Sequence, residues 1–323
     1  MKTRIGVAGY GNIGRGAEKA LARCPDMELA AVFTRRDPRS LAINTPGVPV
    51  LPLDGAESAA DGIDVMLLCG GSATDLPEQG PRFAAAFNTV DSFDIHARIP
   101  EYFAMVDRAA ANHTAVIAAG WDPGLFSLVR ALSGAILPDG ADYTFWGPGV
   151  SQGHSEAIRH VKGVKYAVQY TLPVEKAVAE VKSGSRPALS AGQKHTRECF
   201  VTPMEGADLA GIEAEIRNMP NYFAGYDTSV RFISEEEFLK NHAAMPHGGS
   251  VIRSGNTGAN RHTIEFSLKL DSNPEFTGAV LVAYARAAAR MAREGSFGAK
   301  TALDVPVSYL SPKDGEALRR ELV

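Results

Sequence analysis

Three glycines set the first piece of chemistry in this chain. Gly9-Tyr10-Gly11-Asn12-Ile13-Gly14 has the spacing G-x-G-x-x-G, directly after a short apolar run, Arg4 to Ala8, and at the start of a helical pattern. In this spacing the first glycine makes a tight turn, the second lets the backbone approach a pyrophosphate, and the third lets helix and strand pack closely. A helix N-terminus adds free N–H groups and the positive end of its dipole, so the loop reads as a dinucleotide cradle in preference to a structural turn. About twenty residues further on, an NAD-binding chain places an acid for the ribose hydroxyls. Here that stretch is Phe33-Thr34-Arg35-Arg36. A carboxylate repels a 2′-phosphate, whereas a hydroxyl and two guanidiniums bind one, so the expected cofactor is NADP and not NAD. Cys69-Gly70-Gly71-Ser72-Ala73-Thr74-Asp75 follows another apolar run. It is either a place for a nicotinamide and ribose to approach or a flexible turn.

Polar residues set among aromatics and glycines recur further along. They include Asp91-Ser92-Phe93-Asp94, Gly120-Trp121-Asp122-Pro123-Gly124, Phe145-Trp146-Gly147-Pro148-Gly149 and Ser151-Gln152-Gly153-His154. Tyr170-Thr171-Leu172-Pro173, His195-Thr196-Arg197-Glu198-Cys199, Met245-Pro246-His247 and Leu270-Asp271-Ser272-Asn273 continue the series. Glycine permits close backbone approach and tryptophan supplies apolar walls, so these segments are expected to converge on one cleft. A metal site is disfavoured, because His242 and His247 lie in a Pro/Gly-rich loop without the helical spacing of a zinc protease. No G-x-S-x-G elbow appears, Cys199 follows a strand pattern and Cys69 reads as a small buried filler, so no serine or cysteine nucleophile is indicated.

The elements that must hold these residues are legible in outline. Arg4 to Ala8, Leu29 to Phe33, Asp64 to Cys69, Thr89 to Asp91 and Ala115 to Ala118 read as strands; Ile13 to Ala22, Pro77 to Phe87 and Ile99 to Asn112 read as helices. Apolar strands alternating with helices predict an α/β fold, a doubly wound parallel sheet covered on both faces. After Trp121 the strands alternate, as in Arg261 to Leu270, where Ile264, Phe266, Leu268 and Leu270 share a face. Alternation of this kind predicts one-sided antiparallel sheets in an α+β domain. A long helix from about Pro274 to Arg293 is expected to carry Ala283, Ala287 and Met291 as its apolar stripe. The division predicted is a dinucleotide-binding domain over residues 1–120, completed by about 275–323, with a second domain over 121–274. With 323 residues and a net charge of −4, the chain suits two domains and lacks the basic excess of a nucleic-acid binder. No apolar run reaches the roughly 18 residues of a membrane helix, and the few apolar residues after Met1 are too short for a signal-peptide core. Three cysteines without metal spacing read as free thiols in a reducing cytoplasm.

With these motifs assembled, the chain resembles the meso-diaminopimelate D-dehydrogenases over essentially its whole length. The resemblance is carried by Val7-Ala8-Gly9-Tyr10-Gly11-Asn12, Thr144-Phe145-Trp146-Gly147-Pro148-Gly149, Ser151-Gln152-Gly153-His154-Ser155, Ala167-Val168-Gln169-Tyr170-Thr171-Leu172-Pro173, Met245-Pro246-His247-Gly248-Gly249 and Leu268-Lys269-Leu270-Asp271. It implies a Rossmann-type first domain and a second domain for substrate binding and dimerisation. The activity implied is reversible oxidative deamination of the D-centre of meso-2,6-diaminopimelate by NADP, in a cytoplasmic homodimer of lysine and diaminopimelate biosynthesis. Cofactor contacts implied by the family are Gly9 to Gly14, Thr34, Arg35, Arg36, Cys69, Gly70, Gly71, Ser72, Ser92, Phe93 and Asp94. Implied substrate contacts are Asp94, Trp121, Asp122, Trp146, Gln152, Gly153, Thr171, Arg197, His247 and Asn273, with Asp94 and Asp122 as the catalytic pair. Thr34 stands where the family commonly has serine, which keeps the hydroxyl, and the stretch from Arg36 to Asp61 matches poorly. Two other functions fit a chain of this pattern: a lysine-pathway reductase that releases no ammonia, and a non-catalytic NADP-binding sensor.

Overall fold

A computed structural model describes residues 2–323. The chain forms two compact units, Met1–Leu128 with Pro274–Val323, and Val129–Asn273. The first is built on β1 (Thr3–Ala8), β2 (Met27–Thr34), β3 (Val50–Pro52), β4 (Val65–Leu68), β5 (Asn88–Asp91), β6 (Thr114–Val116) and a last strand, Gly298–Lys300. These make one seven-stranded sheet in the order last strand, β6, β5, β4, β1, β2, β3. Every pairing in it is parallel. Parallel strands need crossovers, and α1 (Asn12–Leu21), α2 (Leu76–Ala84) and α3 (Ile99–Ala109) supply them. The strand order reverses between β1 and β4, and in open α/β sheets ligands bind at the carboxyl ends beside such a switch point. The loops leaving β1 and β4 touch there, with Cys69 donating its N–H to the Ala8 carbonyl at 2.8 Å.

Observed elements depart from expectation in a few places. α2 and α3 stop short of Phe87 and Asn112, and β6 ends at Val116, since Ala118 turns out of the strand at φ 54°. The short strands β3 and Gly298–Lys300 carry too few residues to show a period. The helix Asn273–Arg293 is buried on almost every side instead of along one stripe. Ala302, Val305, Tyr309 and Leu310 cover the side that a lone surface helix would leave wet. Gly16 of α1 meets this helix closely, since a Cβ there would lie 2.7 Å from the Glu275 Cα.

The second unit contains β7 (Gly140–Trp146), β8 (Gly149–Val150), β9 (Val164–Pro173), β10 (His195–Pro203), β11 (Thr228–Phe232), β12 (His247–Thr257) and β13 (Asn260–Leu270). The sheet β13–β12–β7 is antiparallel throughout. The sheet β11–β10–β9–β8 is mixed: β8–β9 and β9–β10 pair antiparallel, as the alternation predicts, whereas β10 and β11 pair parallel. The helix Leu209–Asn218 lies between those two strands and provides the crossover a parallel pair requires. On β13 the alternation is present, but Ile264, Phe266 and Leu268 are only half-buried.

Candidate functional site

In the first unit, Gly9, Tyr10, Gly11, Thr34, Arg35, Arg36, Cys69, Gly70 and Gly71 line a single cavity of about 310 Å³ at the carboxyl ends of β1, β2 and β4. The three glycines divide the work as their spacing requires. Gly9 turns at φ +93°, a Cβ at Gly11 would meet no protein atom within 4 Å, and a Cβ at Gly14 would press on the Gly9 carbonyl. Asn12 and Ile13 open α1, so its first N–H groups point out of the loop. Both arginines are held in place. Arg35 forms an ion pair with Asp75 at 2.8 Å, and Arg36 donates to the Tyr10 carbonyl at 2.7 Å. Thr34 Oγ1 accepts the Arg36 N–H at 3.1 Å, which leaves its own hydroxyl hydrogen to donate elsewhere.

Asp75, the last residue of the loop read from the sequence, also lines this cavity, as do Leu53 and Gln79, which were not expected from the sequence. Asp75 steers Arg35 and also accepts the Gly71 N–H at 2.9 Å, so one carboxylate ties the two loops together. Glu18 is a second such anchor: it accepts from Tyr10, from Asn44 at 2.9 Å and from Thr45 N–H at 2.6 Å. Burial by itself raises the Glu18 carboxyl, but these hydrogen bonds outweigh it and hold the group below the ordinary carboxylate range. Burial pushes the Cys69 thiol up to about 12, which makes it inert as a nucleophile.

Asp94 is exposed beside this cavity's loops, its backbone N–H donating to Ser72 Oγ at 3.2 Å. Ser92 is half-buried, and the Phe93 ring is wholly buried against Tyr102, so Phe93 offers only its backbone to a ligand. Asp122 is half-buried, and Trp121 is buried edge-on to Phe126 at 5.3 Å.

In the second unit, β9 and β10 set Thr171 opposite Arg197. Arg197 is only 7% exposed. Its guanidinium donates to Thr171 Oγ1 and lies 4.2 Å from the centre of the Tyr226 ring, while Nε meets no protein acceptor among the described residues. Gln169 Oε1 is likewise buried without a donor. Gly149 pairs with Thr171 across β8 and β9, and a Cβ there would run into His247, so the glycine seats His247 beside the same strand. Trp146 donates its N–H to His195 Nε2 at 2.9 Å and stacks on that ring. Gln152 reaches Met245 Sδ at 3.6 Å, and Asn273 donates its N–H to the Met245 carbonyl at 2.9 Å. Gly153 is exposed with open space around it.

Electrostatics make Arg197 unusual. Burial first, and the Arg197 charge second, push His154 and His195 down to about 4, and burial also lowers His247. All three rings are therefore neutral near pH 7, and His195 keeps Nε2 as an acceptor for Trp146. No carboxylate pairs with Arg197 among the described residues; Glu198, next in the chain, pairs with Arg231 on the opposite face. A buried cation with neutral rings around it and no paired carboxylate among the described residues is matched to an anionic ligand group. His154, His195 and Tyr226 were not picked out from the sequence as neighbours of Arg197. No cluster of His, Cys, Asp and Glu suited to a metal ion exists among the described residues.

The family model for the diaminopimelic acid dehydrogenase C-terminal domain matches residues 120–272. The meso-diaminopimelate D-dehydrogenase of Ureibacillus thermosphaericus is 61% identical over 100% of this chain and 99% of its own length. The solved structure of the Corynebacterium glutamicum DAP dehydrogenase in complex with DAP superposes with a TM-score of 0.93 at 45% identity, covering 100% of this chain and 99% of the other. An engineered D-amino acid dehydrogenase bound to NADP+ gives a TM-score of 0.88 at 44% identity over 100% of both chains.

Proposed function

Since the chain belongs to the meso-diaminopimelate D-dehydrogenase family, we propose that it oxidatively and reversibly deaminates the D-centre of meso-2,6-diaminopimelate with NADP+. The products are L-2-amino-6-oxopimelate, ammonia and NADPH. The observation that carries this is Arg197, a buried guanidinium with Thr171 and Tyr226 around it and no paired carboxylate among the described residues. It clamps the carboxylate of the L-centre through parallel N–H bonds, with Thr171, His247 and Asn273 completing that end. Trp146, Gln152 and Gly153 contact the substrate alongside them.

Residues of the first unit serve the reacting end and the cofactor. Gly9 to Gly14 hold the pyrophosphate, Thr34, Arg35 and Arg36 the 2′-phosphate, and Cys69 to Ser72 with Ser92 to Asp94 the nicotinamide side. Bound NADP+ supplies the acceptor for the hydrogen leaving the D-carbon. Asp94 and Asp122 attract the ammonium of the D-centre, one of them taking its proton, and Trp121 lines that end. The chain's main contribution is orientation of the reacting Cα–H. The assembly proposed is a homodimer in the cytoplasm. Leu132 and Ile136, each 64% exposed and one helical turn apart, and the half-buried apolar face of β13 support a covering partner. Three free cysteines suit a reducing compartment, and no helix of the described residues is long and apolar enough to cross a membrane.

The test is NADP+ reduction with the three diaminopimelate stereoisomers. The meso isomer should be oxidised with equimolar ammonia release, and deuterium at its D-carbon should appear in NADPH. The LL and DD isomers each mismatch one end; leaving a charged group unpaired costs about 3–5 kcal/mol, which slows them by a few hundredfold or more. Transfer from the L-carbon, comparable rates on all isomers, or reduction without ammonia would sink this assignment.

Gly11 offers a finer check on the cofactor loop. Its φ is −87° and its Cβ position is open, so Gly11→Ala should fold, with a melting temperature lowered by no more than a few degrees because alanine caps α1 less well than glycine. Its methyl would stand where the pyrophosphate must approach, so NADP+ binding should weaken by about tenfold or more. Gly14→Ala, pressed against the Gly9 carbonyl, should instead lower the melting temperature. Unchanged cofactor affinity in Gly11→Ala would place the phosphates elsewhere.

A further inference from the structure

β5 ends in a buried carboxylate that the deamination does not use. Asp91 is 1% exposed. Its Oδ1 accepts the N–H of Phe93 at 2.9 Å and of Ala118 at 3.0 Å, and its Oδ2 accepts the Tyr102 hydroxyl at 2.7 Å. Its carbonyl accepts the Ala119 N–H at 2.8 Å. The packing around it is built to keep Tyr102 there. A Cβ at Gly80 would lie 2.7 Å from two Tyr102 ring carbons, and the Phe93 ring stacks on Tyr102 at 4.2 Å. Phe93 immediately precedes Asp94. Ala118 and Ala119 lead directly into Gly120-Trp121-Asp122, a loop closed on itself by Gly120 N–H to the Pro123 carbonyl at 3.0 Å. Ala118 stands at φ 54°, in the left-handed region that favours glycine, so its backbone is held against its own preference.

We infer that Asp91 is a positioning residue of the active site: one carboxylate oxygen, by taking the amides of Phe93 and Ala118, sets the loops of Asp94 and Asp122 in fixed relation to each other. This rests on the function proposed above, in that Asp94 and Asp122 serve the reacting end. Burial pushes the Asp91 carboxyl up to about 6, against the three hydrogen bonds that lower it. Tyr102 is the one titratable group bonded to it. The chain retains this acid in its core although a neutral residue would be easier to bury.

The test compares Asp91→Ala, Asp91→Asn and wild type. Misplacement of a catalytic group by about 1 Å costs on the order of a hundredfold, so Asp91→Ala should lower kcat by about that factor. NADP+ affinity, carried mainly by the phosphate contacts at Gly9 to Gly14, Thr34, Arg35 and Arg36, should fall by no more than about tenfold, far less than kcat. The amides of Phe93 and Ala118 should exchange with deuterium about tenfold faster or more in Asp91→Ala. An asparagine oxygen still accepts both amides, so Asp91→Asn should keep kcat within about fivefold of wild type. A kcat near wild type in folded Asp91→Ala overturns the inference, as does unchanged amide exchange. Asp91→Asn with a kcat loss of about fiftyfold or more and normal NADP+ binding also overturns it, because the carboxylate would then act directly. Should Asp91→Ala fail to fold, that asparagine comparison decides alone. Failure of the wild type to oxidise meso-diaminopimelate counts against the proposed function and leaves the amide-exchange result standing as the measure of Asp91.

Discussion

Arg197→Ala should raise the Michaelis constant for meso-diaminopimelate by roughly two to three orders of magnitude, with NADP+ affinity within about threefold of wild type. The size follows from burial. An exposed ion pair contributes little, but a guanidinium that is 7% exposed meets its carboxylate out of water, where losing one partner costs about 3–5 kcal/mol. Arg197→Lys should fall between, since a point charge replaces a planar fork. Stability separates this role from a structural one. The cation has no counter-ion among the described residues, so its removal takes away a desolvation cost while losing the contact with Tyr226. The melting temperature of Arg197→Ala should therefore stay within a few degrees of wild type. An unchanged Michaelis constant would remove Arg197 from the substrate site, and a collapse in melting temperature would make it a structural residue.

Exchanging Arg35 and Arg36 together for alanine should weaken NADP+ by roughly a hundredfold to ten-thousandfold and NAD+ by no more than about threefold. Each charge-assisted phosphate contact contributes about 1.5–3 kcal/mol. The two arginines are unequal. The Arg35 side chain is 68% exposed and already shares its charge with Asp75, so salt and solvent screen it. Arg36 is fixed by the Tyr10 carbonyl and has no acidic partner among the described residues, so its single replacement should cost more. Titration of the variants with both cofactors gives the answer, and equal losses for NADP+ and NAD+ would refute recognition of the 2′-phosphate at this pair.

What the sequence by itself determined lies where the governing constraint is local. Gly9, Gly11 and Gly14 each answer to one turn, one open approach and one strand–helix contact, all within six residues of chain, so their spacing carries the cradle. Arg35 and Arg36 were legible for the same reason, because a β-α-β repeat fixes how far along the chain the next strand must end. Parallel and alternating strands announced the two kinds of sheet through burial on two faces or one.

Tertiary structure alone decided the rest, because those features depend on which distant segments become neighbours. Periodicity carries a strand's faces but not its partner's direction, so the parallel pairing of β10 and β11 was invisible. The helix Asn273–Arg293 looked one-sided because the segment that covers its other side is short and irregular. Asp75 lies forty residues from the arginine it steers, and Glu18 holds a loop at Asn44 and Thr45. The charge of Arg197 could be read from the chain, but its isolation could not. Only folding shows that the neighbouring histidines are shielded enough to be neutral and that Glu198 faces away, and that isolation makes an ordinary arginine into an anion site.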